Sequence, residues 1–169
     1  MRNFDHEGLL LAEYQAKLFE KSCDLACSSA IFIRRFKYSN LLKILDENNT
    51  SLLSLDINDG IDQLIEQFGE FNYGKNKFSK SSLFWMGYLY RYISYTRECK
   101  TSFVMQLFNY ELLNNVYYTF HTQDIEWCIA NLLSLIKEDE SIFDKNIRLK
   151  KIIKEKSQKL ICSNYTNKL

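Results

Sequence analysis

The chain has 169 residues, 46% of them hydrophobic and 15% aromatic, with no proline and only five glycines. So much apolar side chain excludes a disordered protein, and a chain of this length buries roughly two thirds of its unfolded surface without a staple. Strand-rich folds need turn residues about every 8–12 positions; their scarcity here, with charges nearly balanced at 22 basic and 21 acidic, predicts helices joined by Asn, Ser, Asp and Lys loops.

The elements follow in order. Asp5 is placed to cap a first helix with Leu9, Leu10, Ala12, Leu18 and Phe19 on its apolar side, running to about Lys21. Ser28 and Ser29 precede a short helix through Ile31, Phe32, Arg34, Arg35 and Phe36. Ser39 caps the next, which ends at Asn48–Asn49. Asp56 or Asn58 opens a helix with Ile61, Leu64, Ile65 and Phe68 on one face, and Gly69 stops it. Residues 70–80 read as an exposed polar loop.

Ser79 or Ser81 then starts the most distinctive segment, Leu83 to Arg97, LFWMGYLYRYISYTR. It is apolar nearly all round, as a mostly buried helix is, and predicts the centre of the domain. Phe84, Tyr88, Arg91 and Tyr95 form one stripe, while Met86, Tyr90 and Ile93 point away from it. Gly87, Arg91, Ser94 and Glu98 form a stripe of smaller residues where a neighbouring helix or a ligand comes close. An Arg buried here must pair with a carboxylate or stack on a ring such as Tyr88 or Tyr95, and Trp85 is expected in the core. Thr101 is expected to cap SFVMQLF, followed by a helix through Leu112 and Val116 to Phe120. His121–Thr122 interrupts, and Thr122 caps a further helix with Asp124 and Glu126 in its first turn, where the dipole favours acids. The fold class is all-α, an irregular bundle of about seven to eight helices with a basic C-terminal helix.

Charge divides the chain more sharply than its total does. Residues 145–169 hold eight basic side chains and one acid, Glu155, a net +7, leaving −6 for the rest. The expected organisation is a helical domain over 1–144 and a basic helical appendage over 145–169. The apolar stripe Leu149, Ile152, Ile153 and Leu160 favours docking on protein, with Lys150, Lys151 and Lys154 as partner-binding residues. Nucleic acid is the less favoured partner, because its backbone offers nothing to that stripe.

Catalytic motifs are scarce. There is no phosphate-binding glycine loop, no dinucleotide motif and no HExxH. With only His6 and His121, a multi-histidine metal centre is excluded, and Cys23 and Cys27 lack a second ligand pair. Neither histidine has the upstream Arg spacing of small helical RNases. No cofactor is expected. Five scattered cysteines without CxxC read as free thiols; with no signal-peptide shape and no apolar run near the ~18 residues of a membrane span, a cytoplasmic protein is expected. The polar residues that stand out are Arg34, Arg35, Tyr38, Tyr90, Arg91, His121 and Asp124. They are either structural partners of one another or an anion or nucleotide pocket, with Arg as clamp and Tyr as stacking platform.

Three segments, SSAIFIRRFKYS (28–39), YGKNKFSKSSLFWMGYLYRYISYTRE (73–98) and FHTQDIEWCI (120–129), resemble an uncharacterised family of small helical Firmicute proteins. Its aromatic helix carries a YRYW signature and its later turn an HTxD sequence; here Ile93 stands in place of the Trp, and Ile125 where a Pro is common. Members are often encoded beside proteins resembling ADP-ribosyltransferase toxins. The resemblance implies a toxin–antitoxin or phage-defence locus and assigns no catalytic residues. Two functions follow as expectations: a non-enzymatic, antitoxin-like or regulatory module whose partner is a protein such as a cognate toxin, or a small toxin or nucleotide-acting enzyme using the Arg/Tyr/His/Asp set. The missing motifs favour the first.

Overall fold

Polar side chains placed just ahead of apolar repeats set most of the helix starts. The computed structural model describes residues 2–137; the acidic stretch after Lys137, the boundary at residue 144, the basic segment with Lys150, Lys151 and Lys154, and Cys162 lie outside the described residues. Eight α-helices follow one another: α1 (His6–Lys21), α2 (Ser29–Lys37), α3 (Asn40–Asp46), α4 (Ile57–Phe68), α5 (Lys80–Thr96), α6 (Thr101–Leu107), α7 (Tyr110–Phe120) and α8 (Ile125–Lys137). No strand occurs among the described residues, and no helix there is long and apolar enough to cross a membrane.

Asp5, Ser28, Ser39, Asp56 and Ser79 each accept a backbone N–H from the first turn of their helix, satisfying a donor the helix cannot. Asp56 forms a reciprocal capping box with Asp59. Gly69, at φ 75°, closes α4, a backbone conformation that costs a glycine little. Asn109 caps α7.

Two starts differ from expectation. Thr101 is the first residue of α6 rather than its cap; Lys100 occupies the cap position without a capping side chain. Thr122 does not cap α8. Asp124 does, accepting from the N–H groups of Glu126 and Trp127 at 2.9 and 3.1 Å.

The centre of the bundle is α5, with α1 antiparallel along it. Gly8 lies against Tyr95, Gln15 and Ala16 against Gly87, and Asp24 beyond the end of α1 pairs with Lys80 at 3.0 Å. Close approach is possible because α1 presents Gly8, Ala12 and Ala16, all buried, at four-residue intervals, and α5 presents Gly87. A Cβ on Gly87 would stand 2.9 Å from both the Gln15 carbonyl oxygen and Ala16 Cα. The smaller-residue stripe of α5 therefore meets a neighbouring helix. Around this pair, Phe19, Phe32 and Phe36 pack edge to face or stacked, with Tyr90 and Phe71 beside them.

The N-terminus straps this pair. Arg2 donates its N–H to Thr96 O, its guanidinium lies 3.9 Å over the Tyr95 ring, and the Tyr95 hydroxyl donates to Asp5 at 2.6 Å. Residues 70–79 are largely exposed but not free of the body: Phe71 is buried, Lys77 Nζ donates to the Ser22 and Leu25 carbonyls, and Phe78 N donates to Ser29 Oγ. The segment lies across the junction of α1 and α2.

Candidate functional site

Arg91 is 1% exposed, and a guanidinium taken from water must find acceptors for its donors. Nε and Nη2 donate to Gln15 Oε1 at 3.1 and 2.9 Å; Nη1 donates to Leu45 O at 2.9 Å and to Asp46 Oδ1 at 3.1 Å. Gln15, itself fully buried, donates Nε2 to Gly87 O. Burial draws the Arg91 guanidinium down to about 10, with Asp46 opposing the fall, so it stays charged at neutral pH. The expected carboxylate partner is therefore present. The expected ring is not: the guanidinium over Tyr95 belongs to Arg2.

Asp46 has a second task. Its carboxylate accepts the Thr101 hydroxyl at 2.6 Å and the Thr101 N–H at 3.1 and 3.2 Å. An acid on α3 thus supplies the cap that Lys100 cannot, at the positive end of α6. Ser94 Oγ stands 2.9 Å from the Thr101 hydroxyl. One buried polar seam joins α1, α3, α5 and α6, and its groups are consumed by one another.

The other residues singled out in the sequence go to different places. Tyr90 is buried and donates its hydroxyl to Phe108 O at 2.7 Å; burial pushes that phenol far up. Arg35 donates to the Gly69 and Glu70 carbonyls and covers the Phe71 ring at 4.5 Å, pinning the end of α4. His121 ends α7, where its Nδ1 lies 2.8 Å from Tyr117 O and its ring stacks on Tyr117 at 4.4 Å. A carbonyl only accepts, so Nδ1 carries the proton in that contact. Asp124 is the α8 cap. The seven residues do not share one cleft.

Arg34 and Tyr38 do stay together, one turn apart on the outer face of α2. They line a groove of about 460 Å³ toward Met105, Gln106, Asn109 and Tyr110 of the α6–α7 side. On the other side of Tyr38 a second groove, about 580 Å³, runs along Lys43, Asp46, Glu47, Lys100 and Ser102. Lys37 and Tyr38 belong to both grooves. Tyr38 is 62% exposed, with Lys37 Nζ 5.7 Å from its ring centre. Asp46 is already paired with Arg91, so Arg34, Lys37, Lys43 and Lys100 are opposed chiefly by Glu47. Tyr38 stands as an exposed aromatic post between two basic-rimmed grooves. Lys43 and Lys100 escape a reading of the sequence because nothing local marks them as neighbours of Tyr38.

No group of three or more potential metal ligands occurs among the described residues. No disulfide joins any two of the four described cysteines, and burial pushes the thiols of Cys23, Cys27 and Cys128 up. Cys23 lies in a 3₁₀ turn, Ser22–Asp24, and Cys27 lies beyond it. The fold and these grooves define a helical bundle with a polar structural seam and a basic, tyrosine-centred face. No family model, no curated protein and no solved structure matches the chain.

Proposed function

We propose that the chain is a non-enzymatic interaction module, antitoxin-like or regulatory, that grips an acidic surface of a protein partner with the Tyr38 face. The observation that carries this reading is the exposure of Tyr38 between Arg34, Lys37, Lys43 and Lys100. An amphipathic ring ringed by cations suits an interface anchor, since Tyr and Arg dominate binding energy where they insert, and the surrounding charge speeds encounter with an acidic patch. The partner implied by the family resemblance is a toxin encoded beside this chain. Lys150, Lys151 and Lys154 of the basic segment would add to the attraction.

Sequence arithmetic favours an external partner for that segment. Residues 2–137 carry fourteen basic and sixteen acidic side chains, a net −2; Glu138, Asp139, Glu140 and Asp144 supply the other four of the −6. The described body thus offers a basic tail little net charge. The missing catalytic motifs, and the separate contacts that engage Arg35, Tyr90, Arg91, His121 and Asp124, favour this reading over the alternative, a small toxin or nucleotide-acting enzyme.

The test is growth and binding together. Cells expressing this chain alone should grow normally, and its expression should rescue cells from the product of the neighbouring gene. Tyr38→Ala with Lys43→Glu should abolish rescue and weaken binding at least tenfold while the melting temperature holds. Growth arrest by this chain alone would overturn the proposal in favour of a toxin.

A further inference from the structure

A separate concavity lies where α1, α5 and α7 meet. It has a volume of about 440 Å³ and is walled by Phe84, Trp85, Tyr88 and Tyr117, with Glu20 and His121 at its edges. That is within the range of small-ligand sites. Trp85 and Tyr117 stand at 65° with centroids 5.8 Å apart, so two of the walls are steeply inclined to each other. Trp85 is half-buried here rather than sealed in the core.

The chemistry of this box is one-sided. Among the described residues no Lys or Arg lines it, and the only acid there is Glu20. The lysines that flank Glu20 along α1 are engaged elsewhere: Lys17 pairs with Glu13 at 3.8 Å and Lys21 with Asp24 at 3.3 Å. Lys80, which shares a neighbouring groove with Lys17, Glu20 and Lys21, also pairs with Asp24. Among the described residues the Glu20 carboxylate has no hydrogen bond or ion pair. Ser81 also lines the box, but no hydrogen bond joins it to His121 or Glu20, so no nucleophile–base pair is formed.

We propose that this box is a binding site for an organic cation, an ammonium or guanidinium head held among the aromatic rings and balanced by Glu20. Aromatic faces attract such cations through their quadrupoles, most strongly where water is excluded, and an unpaired carboxylate at the rim supplies the neutralising charge. The site differs from the Tyr38 face in sign and in residues, and it does not depend on the function proposed there.

The experiment uses the full chain carrying Trp127→Phe, which leaves Trp85 as the one tryptophan and as the reporter. Its fluorescence is titrated with choline chloride and, separately, with the neutral isostere 3,3-dimethylbutan-1-ol, with salt matched by sodium chloride. Choline should give a saturable change at least tenfold tighter than the alcohol. Glu20→Gln should weaken choline about three- to tenfold without moving the melting temperature, whereas Tyr38→Ala should leave it unchanged. A second arm replaces Lys150, Lys151 and Lys154 by Gln. Tighter choline binding in that variant identifies the chain's own ammonium groups as occupants, and equal binding identifies a free cation or a partner's side chain. Equal affinity for choline and the alcohol overturns the proposal, as does no saturable response in either arm.

Discussion

Replacing Arg91 by methionine keeps a side chain of similar length and removes the guanidinium donors from the polar seam. Gln15 Oε1 loses both of its bonds; Leu45 O keeps the Asn48 N–H at 3.1 Å, and Asp46 keeps Thr101. A buried ion pair broken on one side costs about 3–5 kcal/mol, the acceptor left empty on Gln15 included. The apolar burial of methionine offsets about 1 kcal/mol, leaving a net loss of about 2–4 kcal/mol. At roughly 2–4 °C per kcal/mol for a chain of this size, the melting temperature followed by circular dichroism should fall by about 5–15 °C. Arg91→Lys should fall too, because an ammonium cannot serve three acceptors in one plane. The triple variant Gln15→Leu, Asp46→Asn, Arg91→Met, which retires the seam as a unit, should recover part of the loss. An Arg91→Met protein melting within about 2 °C of the parent, against the 2–4 °C expected per kcal/mol, would refute this account of the seam.

Three further outcomes follow from the packing. Gly87→Ala should destabilise by about 1–3 kcal/mol despite the better helix former, because the new methyl meets α1 backbone; urea denaturation measures it, and a stabilised variant would show that the helices part freely. Tyr90→Phe should cost about 1–2 kcal/mol through the lost bond to Phe108 O. Since burial raises the Tyr90 phenol, its stabilisation is complete below the ordinary tyrosine range near 10 and lost above it, so the variant should lose less than the parent between pH 9 and 11. The Asp5 carboxyl is held below its usual range by the Tyr95 hydroxyl, then by the Gly8 N–H and Arg2; that stabilisation is present above about pH 4 and fades below it. Asp5→Asn should therefore melt below the parent at pH 7, and the gap should narrow as the pH falls below about 4.

Most of what is local is legible in the sequence. Asp5, Ser28, Ser39, Asp56 and Ser79 can be read as caps because a cap bonds two or three residues downstream. Thr101 misleads because its helix is capped by Asp46, 55 positions earlier, and proximity of that kind leaves no periodic trace. The burial of Arg91 and its need for a carboxylate follow from an apolar helix, but the identity of Gln15, Leu45 and Asp46 does not. The scatter of the seven singled-out residues has a similar cause. Arg34 and Tyr38 share a face by helical spacing, whereas Arg35, one position on, turns toward Gly69 and Glu70, and Asp124 is already committed as a cap. Glu20 carries no signal of its own because its interest lies in the aromatic rings brought over it by α5 and α7.

The antiparallel seating of α1 on α5 has a consequence for how the chain is made. Gln15 and Arg91 are 76 positions apart, and Asp5 and Tyr95 are 90, a span more typical of sandwiches than of helical bundles, whose contacts are mostly local. At about 5–20 residues per second of synthesis, the apolar side of α1 waits roughly 4–18 s before its partner helix exists. During that interval Leu11, Leu18 and Phe19, all sealed in the finished protein, have only the chain ahead of α5 to lie against. Nascent chains ending before α5 are thus the form of this protein most exposed to aggregation and to capture by chaperones.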